Sequence, residues 1–92
     1  MALRVGIIGA GYIGTVHAKI LAADERVKVT AINDIIGAKA EQLAAQVGAR
    51  VYPNIESMLT SGLDALYVCT PNAVHTEFVL PALQAGVHVF SE

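Results

Sequence analysis

The sequence predicts a parallel, doubly wound α/β sheet with helices on both faces. Three observations carry that prediction. Short apolar runs rich in β-branched residues alternate with segments of helical period along the whole chain. The first run leads at once into Gly9-x-Gly11-x-x-Gly14, which opens the first helical segment. The hydrophobic fraction is 54%, much of it Ala, Val, Ile and Leu, as a sheet covered on both faces requires. Strands joined through helices form parallel sheets with right-handed crossovers, and the expected strand order is 3-2-1-4-5. That order reverses between strands 1 and 4, so a ligand is expected above the C-terminal ends of those strands.

The elements follow in order. Leu3 to Ile8 reads as the first strand. Tyr12 to Ala23 reads as a helix whose stripe of Ile13, Val16, Ile20 and Leu21 is expected to face the core. Val27 to Asn33 is the second strand, after the polar turn Asp24-Glu25-Arg26. Ala38 to Val47 is the second helix, with Gly48 as its C-cap. Ile36 stands where a capping side chain belongs, so another group must serve the first N–H donors there. Ala49 to Tyr52 is a short third strand, and Asn54 caps a brief helix running through Thr60. Asp64 to Cys69 is a nearly continuous apolar run and therefore a central fourth strand. Ala73 to Ala85 is the fourth helix, in which Pro81 is expected to cause a kink or irregularity. Val87 to Phe90 is the fifth strand.

The glycine turn carries the chemistry. Gly9 permits the tight strand-to-helix turn. Gly11 has no Cβ, so a diphosphate can approach the backbone through Gly11, Tyr12 and Ile13. Gly14 lets the helix sit close to the sheet. The helix N-terminus adds unpaired N–H groups and a partial positive charge. Asp34 lies twenty residues after Gly14, at the end of the second strand, where a carboxylate accepts hydrogen bonds from the adenosine ribose. A carboxylate there repels a 2′-phosphate, and Ile35 follows it rather than an arginine, so NAD is the expected cofactor. Lys39 keeps NADP open, and Asn33 is a further candidate for the ribose. Thr70-Pro71-Asn72 follows the fourth strand and falls at the same switch point. His17 shares a direction with Ile13 and Ile20 and reads as a packing residue, and Cys69 as a small buried hydrophobe.

Composition excludes several alternatives. The formal net charge is −2 with no basic run, which argues against nucleic acid as a partner. One cysteine forms no internal disulfide or multi-cysteine zinc site and fits a reducing, cytoplasmic setting. Glycines interrupt the apolar N-terminal stretch, unlike a signal peptide. No apolar run approaches the ~20 residues that span a bilayer, so no membrane partner is expected.

Three motifs in order make the chain similar to a known family. Gly9-Ala10-Gly11-Tyr12-Ile13-Gly14 with His17, then Thr70-Pro71-Asn72 with His75, then Ala85-Gly86-Val87-His88-Val89 with Ser91-Glu92 resemble the N-terminal Rossmann domain of the Gfo/Idh/MocA oxidoreductases. Glucose–fructose oxidoreductase and inositol dehydrogenase belong to that family. The resemblance implies NAD or NADP as cofactor, and hydride transfer to or from a sugar, inositol or related polyol or carbonyl compound. It implies cofactor contacts for Thr70, Pro71 and Asn72. For His75 it leaves open a contact at the nicotinamide end or a structural role in the loop. Val87 departs from a frequent lysine.

In the family a Glu-Lys-Pro lysine is catalytic or orients substrate, and a larger α/β domain follows. The sequence stops at Glu92, the first residue of that motif. The expectation is therefore one truncated cofactor-binding domain, residues 1–92, with the substrate domain absent and no catalytic residue of its own. Such a chain binds dinucleotide without turnover and self-associates through surfaces left uncovered. Two other readings stand beside it: a stand-alone nucleotide-binding or redox-sensing module, and a purely structural Rossmann unit.

Overall fold

The computed structural model describes residues 2–69 and 75–91. The elements are β1 (Leu3–Ile8), α1 (Tyr12–Ala22), β2 (Val27–Asn33), α2 (Gly37–Val47), β3 (Arg50–Val51), α3 (Ile55–Leu59), β4 (Ala65–Val68), α4 (His75–Gln84) and β5 (His88–Ser91). They form one five-stranded sheet in the order β3-β2-β1-β4-β5, with every neighbouring pair parallel. This is the predicted topology. Ile8 stands opposite both Asn33 and Val68, so the residues that follow these three strands emerge along one edge of the sheet.

Two cores lie on the two faces. Ile7, Val29 and Ile32 meet Ala18 of α1 and Ala40, Leu43 and Ala44 of α2 on one side. Ile8, Ala31, Leu66 and Val68 meet Ile55 and Met58 of α3 and Ala82 of α4 on the other. Val29 and Ala31 are two residues apart on one strand, yet they enter opposite cores. The register explains it: Val5 pairs with Val29 and Gly6 with Ala31, so Thr30 is an extra residue in β2 and the strand reverses its faces there. A Cβ on Gly6 would come 2.6 Å from Leu63 Cδ1 and 3.1 Å from Met58 Cε, so the ends of those side chains would have to shift to admit one.

Helix α1 departs from the expected orientation. Gly14 and Ala18 are its buried residues. Of the expected stripe, Ile13 is 44% exposed, Val16 37% and Ile20 64%, while Leu21 is half-buried against the Ile7 core. The small residues face the sheet because only they allow the close approach described below, and the large β-branched stripe is turned outward. The other differences are at the ends of elements. Strand β3 is reduced to Arg50–Val51, although Tyr52 N–H still donates to the carbonyl of Ile32 at 2.9 Å. Helix α4 continues through Pro81 to Gln84. Asn54 caps α3 as expected, its Oδ1 accepting from Ser57 N–H at 2.8 Å, and Gly48 ends α2 in the left-handed region at φ 72°.

Candidate functional site

The glycine turn lies at the C-terminal edge of the sheet, between β1 and α1. Gly9 has φ 97°, a conformation that favours glycine, and its N–H donates to the carbonyl of Asn33 at 2.8 Å. The next N–H, that of Ala10, donates to Asp34 Oδ2 at 2.6 Å. The Ala10 carbonyl accepts from Thr15 Oγ1 at 3.2 Å. The turn is thus held from β2 on one side and from its own helix on the other.

Gly11 and Gly14 face opposite surroundings. A Cβ on Gly14 would overlap the carbonyl oxygen of Gly9, lie 2.9 Å from its carbon and meet Cys69 Cβ at 3.5 Å. A Cβ on Gly11 would meet nothing within 4 Å. Gly11 is the N-cap of α1, and no side chain caps the helix there. The first turn of α1 thus carries no side-chain cap and the turn is open at Gly11, features that a site for a diphosphate requires. Tyr12 is 82% exposed, and Ile13 lies beside it at the rim.

Asp34 is half-buried and bridges two turns. Its Oδ2 accepts from Ala10, and its Oδ1 accepts from Ile36 N–H at 2.8 Å. A carboxylate offers about four lone-pair positions, so roughly two remain for hydroxyl donors. Ile35 beside it is almost fully exposed. Asn33, also considered for the ribose, is committed to the sheet instead at its amide nitrogen. It is buried, and its Nδ2 donates to the carbonyl of Tyr52 at 2.7 Å.

A cavity of about 380 Å³ extends from Gly11 and Tyr12 between α1 and α2. Lys19 lines it from α1, and Lys39, Gln42 and Gln46 line it from α2; no carboxylate is among the lining residues. Sequence reasoning singled out Lys39 alone. Lys19 and the two glutamines were detectable only as polar positions on two helices whose relative placement the sequence does not state.

His17 packs as expected, with its ring 5.7 Å from that of Tyr67, which in turn stacks on Phe90 at 4.8 Å. Cys69 packs against the Ile7 core, and its N–H donates to the carbonyl of Ile8 at 2.8 Å. Thr70, Pro71, Asn72 and Glu92 lie outside the described residues, as does the side chain of His75, the first residue of α4. Among the described residues no group of three His, Cys, Asp or Glu is placed to hold a metal ion, and no helix is long and apolar enough to cross a membrane.

Comparison with known proteins agrees with this geometry. An inositol 2-dehydrogenase of Rhizobium meliloti is 33% identical over 92 residues, which is all of this chain and 28% of that protein. The crystal structure of GenD2 from gentamicin A biosynthesis, in complex with NAD, superposes with a TM-score of 0.94 at 32% identity, over 98% of this chain and 26% of that one. KijD10, a 3-ketoreductase from Actinomadura kijaniata in complex with NADP, superposes with a TM-score of 0.90 at 30% identity, over 99% of this chain and 30% of that one. The chain thus spans between a quarter and a third of the length of these relatives. The family model described as "Oxidoreductase family, NAD-binding Rossmann fold" matches residues 3–92, and the chain belongs to that Gfo/Idh/MocA family.

Proposed function

We propose that this chain is the cofactor-binding part of an NAD(P)-dependent oxidoreductase acting on a sugar, an inositol or a related polyol or carbonyl compound. The observation that carries the reading is the uncapped N-terminus of α1 above the open side of Gly11, with the Asp34 carboxylate at its flank. These residues fit a dinucleotide. The N–H groups of Gly11, Tyr12 and Ile13 face its diphosphate. The open lone pairs of Asp34 accept from the adenosine ribose, and exposed Ile35 borders the adenosine. Thr70, Pro71, Asn72 and His75 are assigned to the nicotinamide side on their place after β4, at the point where strand order reverses. The bound cofactor supplies the hydride chemistry, and this chain orients it. No catalytic residue is assigned within the chain, so the expected behaviour of residues 1–92 as a single domain is binding without turnover.

Asp34 favours NAD through its charge. The second cofactor, NADP, is supported by a specific feature, the cavity lined by Lys19 and Lys39 beside the same turn. Self-association is proposed through the outward residues Ile13, Val16 and Ile20 and through the edge strand β5 with its exposed Phe90. A single cysteine packed against the core suits the reducing conditions of the cytoplasm.

The test is a fluorescence titration with NADH and with NADPH, alongside the Asp34→Ala variant. Saturable NADH binding that weakens about tenfold on the substitution is expected, the size of a charge-assisted hydrogen bond lost. A chain that is folded by circular dichroism and binds neither cofactor overturns the reading. Sedimentation showing only monomer at high concentration overturns the self-association.

A further inference from the structure

We infer that Asp34 is a positioning residue for the glycine turn as well as a ribose acceptor, and that it couples the two halves of the dinucleotide site through one carboxylate. The inference rests on the dinucleotide reading and adds a second role to one of its residues. Two consecutive N–H groups of the turn are held by two consecutive residues at the end of β2. Gly9 N–H is held by the backbone carbonyl of Asn33 at 2.8 Å, and Ala10 N–H by the side chain of Asp34 at 2.6 Å. The first contact is made by backbone atoms alone and does not depend on the side chain of Asn33 or Asp34. The second depends wholly on the carboxylate. Ala10 is 8% exposed, so its N–H, once released, has little water to replace the lost acceptor.

The residue after Ala10 is Gly11, whose open side faces the diphosphate position. The orientation of the Gly11, Tyr12 and Ile13 N–H groups therefore depends on a peptide that Asp34 fixes. The same carboxylate, through Oδ1, fixes Ile36 at the start of α2, at 2.8 Å. A ribose hydroxyl that donates to Asp34 thus acts on a group already shared by the diphosphate turn and the β2–α2 turn. If Asp34 served the ribose alone, it would have no influence on a ligand lacking ribose hydroxyls. As a clasp, it influences both kinds of ligand.

The experiment compares ADP with 2′,3′-dideoxy-ADP, against the unsubstituted chain, Asp34→Ala and Asp34→Asn. It is joined to amide hydrogen exchange on the ligand-free chain. Asp34→Ala is expected to weaken dideoxy-ADP about fivefold, and ADP by more, since the variant loses the turn's acceptor in both cases and the ribose contact only in the second. Asp34→Asn keeps one acceptor oxygen and falls between. In the ligand-free chain, exchange at Ala10 and Ile36 is expected to rise about tenfold or more in Asp34→Ala, with the amides of Val29 and Ile32 unchanged. A general loss of stability would raise all four together.

Unaltered dideoxy-ADP affinity in Asp34→Ala overturns the inference, as does exchange at Ala10 that stays slow. If Asp34→Ala does not fold, Asp34→Asn carries both measurements. If the unsubstituted chain binds neither nucleotide, the dinucleotide reading fails, and the exchange data alone decide whether the clasp exists.

Discussion

Replacing Gly14 with alanine tests whether α1 is held to the sheet by backbone contact. The added Cβ would overlap the Gly9 carbonyl oxygen and stand 2.9 Å from its carbon, whereas ordinary contacts begin near 3.4 Å. Both neighbours are backbone atoms, so no rotamer relieves the overlap. The helix must retreat from the turn by more than about an ångström, in a core that tolerates little change of volume. That retreat loosens fully buried Ala18 from the core it shares with Ile7 and Val29, and draws Thr15 Oγ1 from the Ala10 carbonyl. The expected cost is about 3–5 kcal/mol, the upper end for overpacking. A domain of this length has roughly 5–14 kcal/mol in all. At about 4–8 °C per kcal/mol for a domain of this size, Tm falls by roughly 12 °C or more. Gly11→Ala is the internal control. Gly11 has φ −75° and open space around it, so alanine there costs about 0.5 kcal/mol as a weaker N-cap and shifts Tm by about 2–4 °C. It nevertheless obstructs the diphosphate and is expected to weaken NADH about tenfold or more, read by the same fluorescence titration. Thermal unfolding by circular dichroism reads the stabilities. A Gly14→Ala chain melting within about 4 °C of the unsubstituted one refutes the argument from backbone contact.

Three further outcomes are expected. Thr30 Oγ1 is buried without a hydrogen-bond partner among the described residues, so Thr30→Val should be neutral or stabilising by up to about 1 kcal/mol; a clear fall in Tm would show that the hydroxyl is bonded. Asn54→Ala removes the cap on Ser57 N–H and should cost about 1 kcal/mol in chemical denaturation, with an unchanged midpoint counting against the cap. The Arg26 side chain and N–H beside Asp24 hold its carboxyl at about 2, below the ordinary 3.8. The stabilisation is complete above pH 3.8 and lost as pH falls towards 2. The pair is exposed, so salt should weaken it. Titration of the Asp24 carboxyl by carbon-13 NMR should rise towards 3.8 in Arg26→Ala but stop short of it, since the N–H of residue 26 still donates, and a midpoint unmoved by that substitution would remove the attribution to the side chain.

The strand order was legible because it follows from alternation alone: parallel strands, helical connections and one handedness leave few topologies. The glycine positions were legible for the same kind of reason, since each residue type has a geometric need behind it. The bulge at Thr30 was not. Nothing in Val27-Lys28-Val29-Thr30-Ala31-Ile32 marks an extra residue, because every position tolerates an extended backbone. The face reversal appears only once Gly6 is seen to lie against Leu63 and Met58, contacts made across more than fifty residues of sequence. Asp34 was legible as a carboxylate at the end of β2. Its two backbone partners were not, because hydrogen bonds to Ala10 and Ile36 depend on where two separate turns come to rest.

Helix α1 shows why periodicity and position must be read together. Its sequence offers a large apolar stripe of Ile13, Val16, Ile20 and Leu21, or a small-residue face of Gly14 and Ala18, beside which Leu21 alone of that stripe packs against the core. Hydrophobicity ranks the first face higher and led to the wrong orientation. The constraint that decides the matter is the same glycine turn that marks the site. A helix that begins three residues after Gly9 and lies against its carbonyl must turn Gly14 inward, and Ala18 follows one turn later. The energy lost by leaving three β-branched side chains partly in water is distributed over a surface, at about 25 cal/mol per Å². The overlap that the alternative orientation would produce is concentrated on one carbonyl and cannot be spread. Steric exclusion at the turn therefore outranks burial along the helix, and the exposure of Ile13, Val16 and Ile20 is a consequence of the glycine turn. Gly14→Ala and self-association are linked by this argument. A substitution that forces α1 away from Gly9 frees the helix to rotate Ile13 and Ile20 inward, and association through that stripe should weaken in step with the loss of the native turn.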